Sequence, residues 1–219
     1  MTDRDLLRRR ALAGRLVAIV RLRDGAVLLE VAAALVEGGI TTLEFTLTTP
    51  GAVAAIERCR ARFGEAVVAG AGTVLDADGA RRCLEAGAQF LVSPGFDPDV
   101  IAAARDGGAL AMPGAMTPTE ILAAWRAGAD VVKVFPARVL GPRYIADVRA
   151  PLPEVRLMPT GGVDATNAAE YLRAGAIGVA VGGNLVDPAA VARADWAALR
   201  ARARALVDAV ALSGAANPW

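Results

Sequence analysis

The sequence predicts a parallel α/β architecture, a (β/α)8 TIM barrel with one extra helix at its N-terminus. Three observations carry that expectation. A phrase in which a helical pattern ends at a glycine and turns into a β-branched run recurs at Gly39, Gly87, Gly108, Gly128 and Gly175. The intervals correspond to one or two units of roughly 20 to 24 residues, the size of a short strand plus a helix with tight loops. Eight short apolar runs, each followed by a helical pattern, fit between these signals within 219 residues, near the small end of the barrel size range. No Gly-x-Gly-x-x-Gly opens the first helix, which disfavours an open doubly wound sheet.

The elements follow in order. A first helix is expected near residues 3–13. Strands are expected at 16–21, 41–46, 66–70, 89–93, 109–113, 130–135, 155–159 and 177–181, where short apolar runs lie between turn signals. Helices are expected at 24–37, 50–62, 76–86, 97–106, 117–127, 142–150, 164–174 and 187–211. Several open on a polar cap at the first turn, as at Asp76, or on a cap followed by proline, as at Asp97-Pro98, Thr117-Pro118 and Asp187-Pro188. Their ends fall on glycine because the left-handed C-cap conformation is unstrained there.

Composition bounds what such a fold can do. A hydrophobic content of 55% with 21% charged residues supports one sizeable core, read as a single domain over 1–219. The formal net charge is +1 and the charges are interspersed, so neither nucleic acid nor a membrane is expected as a partner. Arg8-Arg9-Arg10 is too short a cluster to alter that. Cys59 and Cys83 both fall in helical patterns, which argues for buried thiols in a reducing compartment. The opening residues lack the apolar segment of a signal peptide, and no apolar run reaches membrane-spanning length, so a cytoplasmic location is expected. Histidine is absent, which removes the commonest general base and the commonest metal ligand together.

One stretch stands out, Val131-Val132-Lys133-Val134-Phe135-Pro136, because Lys133 is the only lysine in the chain. A lysine in an apolar run either snorkels to water or is a desolvated amine of lowered pKa, nucleophilic near neutral pH and able to form a Schiff base. Period-2 alternation puts Val132 and Val134 on one face and Lys133 on the other, so Lys133 points into the barrel if the valines pack on helices. In the second strand Leu43 and Phe45 then face outward and Glu44 inward. Active sites of this fold lie at the C-terminal ends of the strands. There the chain carries Gly70-Ala71-Gly72-Thr73, Ser93-Pro94-Gly95, Thr160-Gly161-Gly162 and Gly182-Gly183-Asn184. Glycine pairs after the last two strands are placed to hold a phosphate on exposed backbone N–H groups.

An amine, a carboxylate and a phosphate cradle are the parts of a class I aldolase, in which an iminium acts as electron sink and a carboxylate moves protons. A metal-dependent aldolase would need histidines or clustered carboxylates, which the sequence does not offer. The alternative on these residues is a phosphate-binding barrel that isomerises or epimerises a sugar phosphate through a carboxylate base.

The phrases Leu43-Glu44-Phe45-Thr46-Leu47, Gly70-Ala71-Gly72-Thr73-Val74-Leu75, Ser93-Pro94-Gly95, Lys133-Val134-Phe135-Pro136-Ala137, Pro159-Thr160-Gly161-Gly162-Val163 and Gly182-Gly183-Asn184-Leu185-Val186 resemble the 2-keto-3-deoxy-6-phosphogluconate / 4-hydroxy-2-oxoglutarate aldolases. The resemblance runs from about residue 12 to residue 210. It implies cleavage of 2-dehydro-3-deoxy-6-phosphogluconate to pyruvate and glyceraldehyde 3-phosphate, with Lys133 as the Schiff-base residue and Glu44 as general acid/base. It further implies that Thr73 holds the pyruvate carboxylate and that Pro94 and Phe135 line the pyruvyl pocket. Gly161, Gly162, Gly182, Gly183 and Asn184 would take the phosphate, Asn184 standing where many relatives have serine. The family is typically a homotrimer and needs no metal or organic cofactor. Three positions separate subtypes. Thr48 stands where gluconate-type enzymes carry a carboxylate-binding arginine, and Arg21, at the end of the first strand, matches the galactonate type. Thr160, before the glycine pair, matches the gluconate type, whose substrate or a relaxed C4 preference is therefore the expectation.

Overall fold

The computed structural model describes residues 2–215, so residue 1 and residues 216–219 of the expected domain lie outside the described residues. Nine strand segments alternate with ten α-helices among the described residues. The strands are β1 (Leu16–Val20), β2 (Thr42–Thr46), β3 (Val68–Gly72), β4 (Phe90–Val92), β5 (Leu110–Met112), β6 (Gly114–Ala115), β7 (Val132–Val134), β8 (Leu157–Pro159) and β9 (Val179–Val181). The helices are α1 (Asp3–Leu12), α2 (Leu28–Glu37), α3 (Ala52–Phe63), α4 (Ala77–Glu85), α5 (Pro98–Asp106), α6 (Pro118–Arg126), α7 (Ala137–Arg149), α8 (Ala168–Arg173), α9 (Pro188–Ala192) and α10 (Trp196–Ala211). No helix among them is long and apolar enough to cross a membrane.

The strands pair in parallel, in the orders β5-β4-β3-β2-β1-β9 and β6-β7-β8. The fifth strand, expected at 109–113, runs on past Pro113, which has no N–H to give to a ladder and divides it into β5 and β6. The Pro113 carbonyl still accepts from Lys133 N at 2.9 Å, and Ala111 O accepts from Asp130 N at 2.8 Å. At the other seam Ile177 N donates to Leu157 O at 2.9 Å, and Thr160 bridges Ala180. The result is a curled parallel sheet with helices on its outer face.

Alternation along the strands divides the core in two. Leu16, Ala18 and Val20 of β1, Leu43 and Phe45 of β2, and Val132 and Val134 of β7 pack with the helices in one cluster. Val17, Ile19, Phe90, Met112, Val131 and Met158 fill a second cluster on the inner face. Helix α1 adds Ala11 and Leu12 to that inner cluster. It is held there by Arg4, whose guanidinium gives two hydrogen bonds to Asp130 at 3.1 and 2.5 Å, and by Thr42 Oγ1, which donates to Ala11 O at 2.8 Å. Residues 42 and 130 are at strand starts, so α1 covers the end opposite the strand C-termini. Both cysteines are free and buried, and burial pushes their thiols up to about 11.

Several expected boundaries move for identifiable reasons. The helices expected from residues 24 and 164 begin four residues later, because Asp24 and Asp164 capture the amides of Ala26 (3.0 Å) and Thr166 (2.8 Å) in Asx turns. The helix expected at 142–150 starts at Ala137 and is kinked where Gly141, at φ 70, precedes Pro142. The single helix expected at 187–211 is two helices: Ala194 turns left-handed at φ 52, and Asp195 caps α10 by accepting from Ala198 N. The third strand begins at Val68 rather than residue 66, which belongs to a 3-10 turn, and so it ends at Gly72.

Candidate active site

Lys133 is the middle residue of β7, and because its valine neighbours pack on helices it projects inward, with 6% of its surface exposed. Burial lowers its amine pKa; Glu44 works against that shift and the Arg21 charge adds to it. Glu44 occupies the middle of β2 and is 1% exposed. Burial raises its carboxyl pKa, while Lys133 and Arg21 pull it back. Among the described residues the two form no direct ion pair, and Glu44 Oε1 has no hydrogen-bond partner. Both line one small void under the strand ends, together with Thr160. Desolvation therefore pushes each toward its neutral form, a free amine near a carboxylic acid.

Above them opens a cavity of about 440 Å³. Lys133 and Phe135 lie at its wall, the amine 4.9 Å from the ring centroid. The turn after β8 contributes Thr160, Gly161 and Gly162, and the turn after β9 contributes Gly182, Gly183 and Asn184. Gly161 and Gly162 sit at φ 91 and 84, a left-handed pair that side chains would strain. Asn184 Nδ2 donates to Val163 O at 3.1 Å and ties the two turns together. The amide N–H groups of Gly162, Gly183 and Asn184 make no hydrogen bond among the described residues. Arg21, following β1, lines the same cavity and donates to Thr73 Oγ1 at 3.2 Å. Thr73 is itself left-handed, at φ 58, an outlier for a β-branched residue of the kind that collects at functional sites.

The structure thus brings Lys133, Arg21, Phe135, Thr160, Gly161, Gly162, Gly182, Gly183 and Asn184 to one cavity, with Glu44 beneath and Thr73 joined through Arg21. Pro94 is exposed and does not line it; Ser93 Oγ donates to Gly95 O at 2.7 Å across this short loop. Arg21 also borders a neighbouring cavity of about 850 Å³ that includes Thr48. A further cavity of about 590 Å³, lined by Arg15 and Arg149 near the strand starts, touches neither Lys133 nor Glu44. Besides the apolar Ile19, Val163 and Ala180, the cavity is lined by one charged residue outside the sequence-predicted set, Arg138, in the first turn of α7. Its only sequence signal is a second cation two residues after Pro136.

A desolvated lysine beside a buried carboxyl, under glycine turns with free amides, is the apparatus of an enzyme that makes and breaks carbon–carbon bonds through a lysine imine, a class I aldolase. The comparison with known sequences narrows this. The chain belongs to the KDPG and KHG aldolase family, whose sequence profile matches residues 8–202. It is 40% identical over 159 residues to a probable 2-dehydro-3-deoxy-6-phosphogalactonate aldolase of Rhizobium meliloti (strain 1021), covering 72% of this chain and 75% of that one. It is 39% identical over 189 residues to a 2-dehydro-3-deoxy-phosphogluconate aldolase of Treponema pallidum (strain Nichols), covering 85% and 89%. The crystal structure of KDPG aldolase from Legionella pneumophila, with pyruvate captured at low pH as a covalent carbinolamine, matches with a TM-score of 0.83. That match has 27% identity over 94% of this chain and 98% of the other.

Proposed function

We propose that this protein reversibly cleaves 2-dehydro-3-deoxy-6-phosphogluconate to pyruvate and glyceraldehyde 3-phosphate, and that it also accepts 4-hydroxy-2-oxoglutarate. The observation that carries this reading is the position of Lys133, whose amine is desolvated at the floor of a cavity and shares the interior with Glu44. The neutral amine adds to the C2 ketone. Glu44 gives its proton to the carbinolamine hydroxyl, water leaves and an iminium remains. A base takes the proton of the C4 hydroxyl, the C3–C4 bond breaks, and its electron pair passes into the iminium as the aldehyde departs. The resulting enamine is protonated at C3, and water returns pyruvate and the free amine. Glu44 serves these transfers because no histidine is present. Thr73 and Arg21 take the carboxylate, Phe135 borders the pyruvyl group, and the turns at Thr160-Gly161-Gly162 and Gly182-Gly183-Asn184 take the phosphate; Pro94, which does not line the cavity, is given no contact with the substrate.

The same reading takes the sheet as one closed eight-stranded barrel with α1 as an added N-terminal helix, supported by the hydrogen bonds at both seams. It takes 1–219 as one domain and the working form as a cytoplasmic homotrimer. Free, buried cysteines and the exposed apolar side chains of Leu75 and Val139 support it.

A specific observation favours a second substrate. Arg21 reaches Thr73 at the cavity while Thr48 offers no cation, which is the galactonate-type arrangement. Rates of pyruvate release from the two C4 epimers decide. Comparable rates or a gluconate preference support the primary reading, and a large preference for the galactonate epimer overturns it.

A further inference from the structure

The cavity above Lys133 is lined by three titratable side chains, Arg21, Lys133 and Arg138, and by no carboxylate. Such a wall suits a ligand with two separated anionic groups. Imine chemistry accounts for Lys133, and the bond to Thr73 places Arg21 on the side of β1 and β3. Arg138 is on the other side. Its main-chain N–H donates to Gly161 O at 2.9 Å, which fixes the start of α7 against the glycine turn. Its side chain runs along Gly162: a methyl group built there overlaps Arg138 Cβ and comes within 3.4 Å of Cα and 3.6 Å of Nε. Among the described residues its guanidinium enters no hydrogen bond or ion pair. An unpaired guanidinium, drawn along a turn whose amides are also unpaired, is a half-built oxyanion site.

We propose that Arg138 is the phosphate-pairing cation of this enzyme. Its guanidinium bonds the phosphate at C6 of the substrate, while the N–H groups of Gly162, Gly183 and Asn184 donate to the remaining oxygens. The assignment rests on the aldolase reading and fixes the substrate's direction. C2 is over Lys133, the C1 carboxylate lies toward Arg21 and Thr73, and the chain from C3 to C6 runs toward α7. Arginine suits the role because its planar fork meets phosphate through two parallel hydrogen bonds, which a lysine at the same place does not offer.

The test compares 2-dehydro-3-deoxy-6-phosphogluconate with the same sugar acid lacking the phosphate, in the wild type, Arg138→Ala and Arg138→Lys. The expected result is a fall of roughly 10- to 100-fold in the ratio of kcat/KM for the phosphorylated substrate to that for the dephosphorylated one, carried mainly by KM. Arg138→Lys should recover part of it, and inhibition by inorganic phosphate should weaken in parallel. Pyruvate and borohydride should still label Lys133 in Arg138→Ala, which reports the aldolase chemistry separately. An unchanged selectivity ratio with Lys133 labelled overturns the role of Arg138 alone. Absence of labelling in the wild type overturns the aldolase reading and this assignment with it.

Discussion

Gly72→Ala perturbs the site without altering any reacting group. Gly72 ends β3, and a methyl group built on it overlaps Oε1, Cδ and Cγ of Glu44. Real side chains do not make such contacts, so one partner must move by on the order of 1 Å. The strand is poorly placed to yield, because Gly72 is held in register between Thr46 of β2 and Val92 of β4. The Glu44 carboxyl, whose Oε1 has no hydrogen bond to lose, gives way instead. Overpacking of this kind costs about 1–3 kcal/mol, or a fall in Tm of roughly 2–12 °C for a chain of this length. Displacing a proton-transfer group by about 1 Å costs on the order of 100-fold in rate. Calorimetry gives the first quantity, and pyruvate release coupled to lactate dehydrogenase gives the second. Gly14→Ala is the control, since a methyl group there meets nothing within 4 Å. A folded Gly72→Ala variant with wild-type kcat would refute the claim that the placement of Glu44 governs turnover.

Three further perturbations have signs set by the same geometry. Glu44→Gln should raise Tm at neutral pH: burial raises the folded carboxyl pKa above its ordinary 4.5. The folded state therefore loses stability relative to the unfolded chain as pH climbs above that value, and glutamine removes the loss. The Tm gain should shrink as pH is lowered toward 4.5, and a gain that grows instead would contradict the assignment. Arg21→Ala should move the acid limb of kcat/KM to higher pH, because the Arg21 charge helps hold the Lys133 amine pKa down; a limb that stays in place or moves down counts against that coupling. Asp130→Asn should loosen α1 by removing the carboxylate that Arg4 grips with two hydrogen bonds. A cost of about 2 kcal/mol, or roughly 4–8 °C in Tm, is expected with kcat little changed, and an unaltered Tm would show that the Arg4–Asp130 pair adds nothing to the hold on α1.

What could be read from the sequence was what periodicity controls. Valines that must pack on helices turn Lys133 inward, and the same alternation turns Glu44 inward beside it, so the central pair follows from β7 and β2 without coordinates. Gly161 and Gly162 mark the turn after β8 because backbone at φ 91 and 84 leaves little choice of residue, whereas Gly182 and Gly183 after β9 have no left-handed backbone and mark their turn by position alone. Features set by distant contacts were not legible. Arg138 belongs to the site only because α7 docks its first turn on Gly161, and nothing local to Arg138 announces that. Pro94 sits at the right strand end, yet it is exposed and does not line the cavity. The break between α9 and α10 contains neither glycine nor proline. Asp195 is its one local signal, a cap whose meaning depends on Ala194 turning left-handed. The helices at 28 and 168 start late because Asp24 and Asp164 compete for the first amides, a signal the sequence does carry.

The central claim is that the amine of Lys133 is the nucleophile, and its isolation in the sequence allows a direct measurement. The protein is incubated with pyruvate, reduced with borohydride, digested and mapped by mass spectrometry, beside Lys133→Arg, which keeps the charge but cannot form the imine. The account predicts a pyruvyl adduct on the peptide that contains Lys133, the only lysine of the chain, and a folded but unlabelled, inactive Lys133→Arg. An unlabelled wild type, an adduct confined to the N-terminal peptide, or an active Lys133→Arg would contradict it.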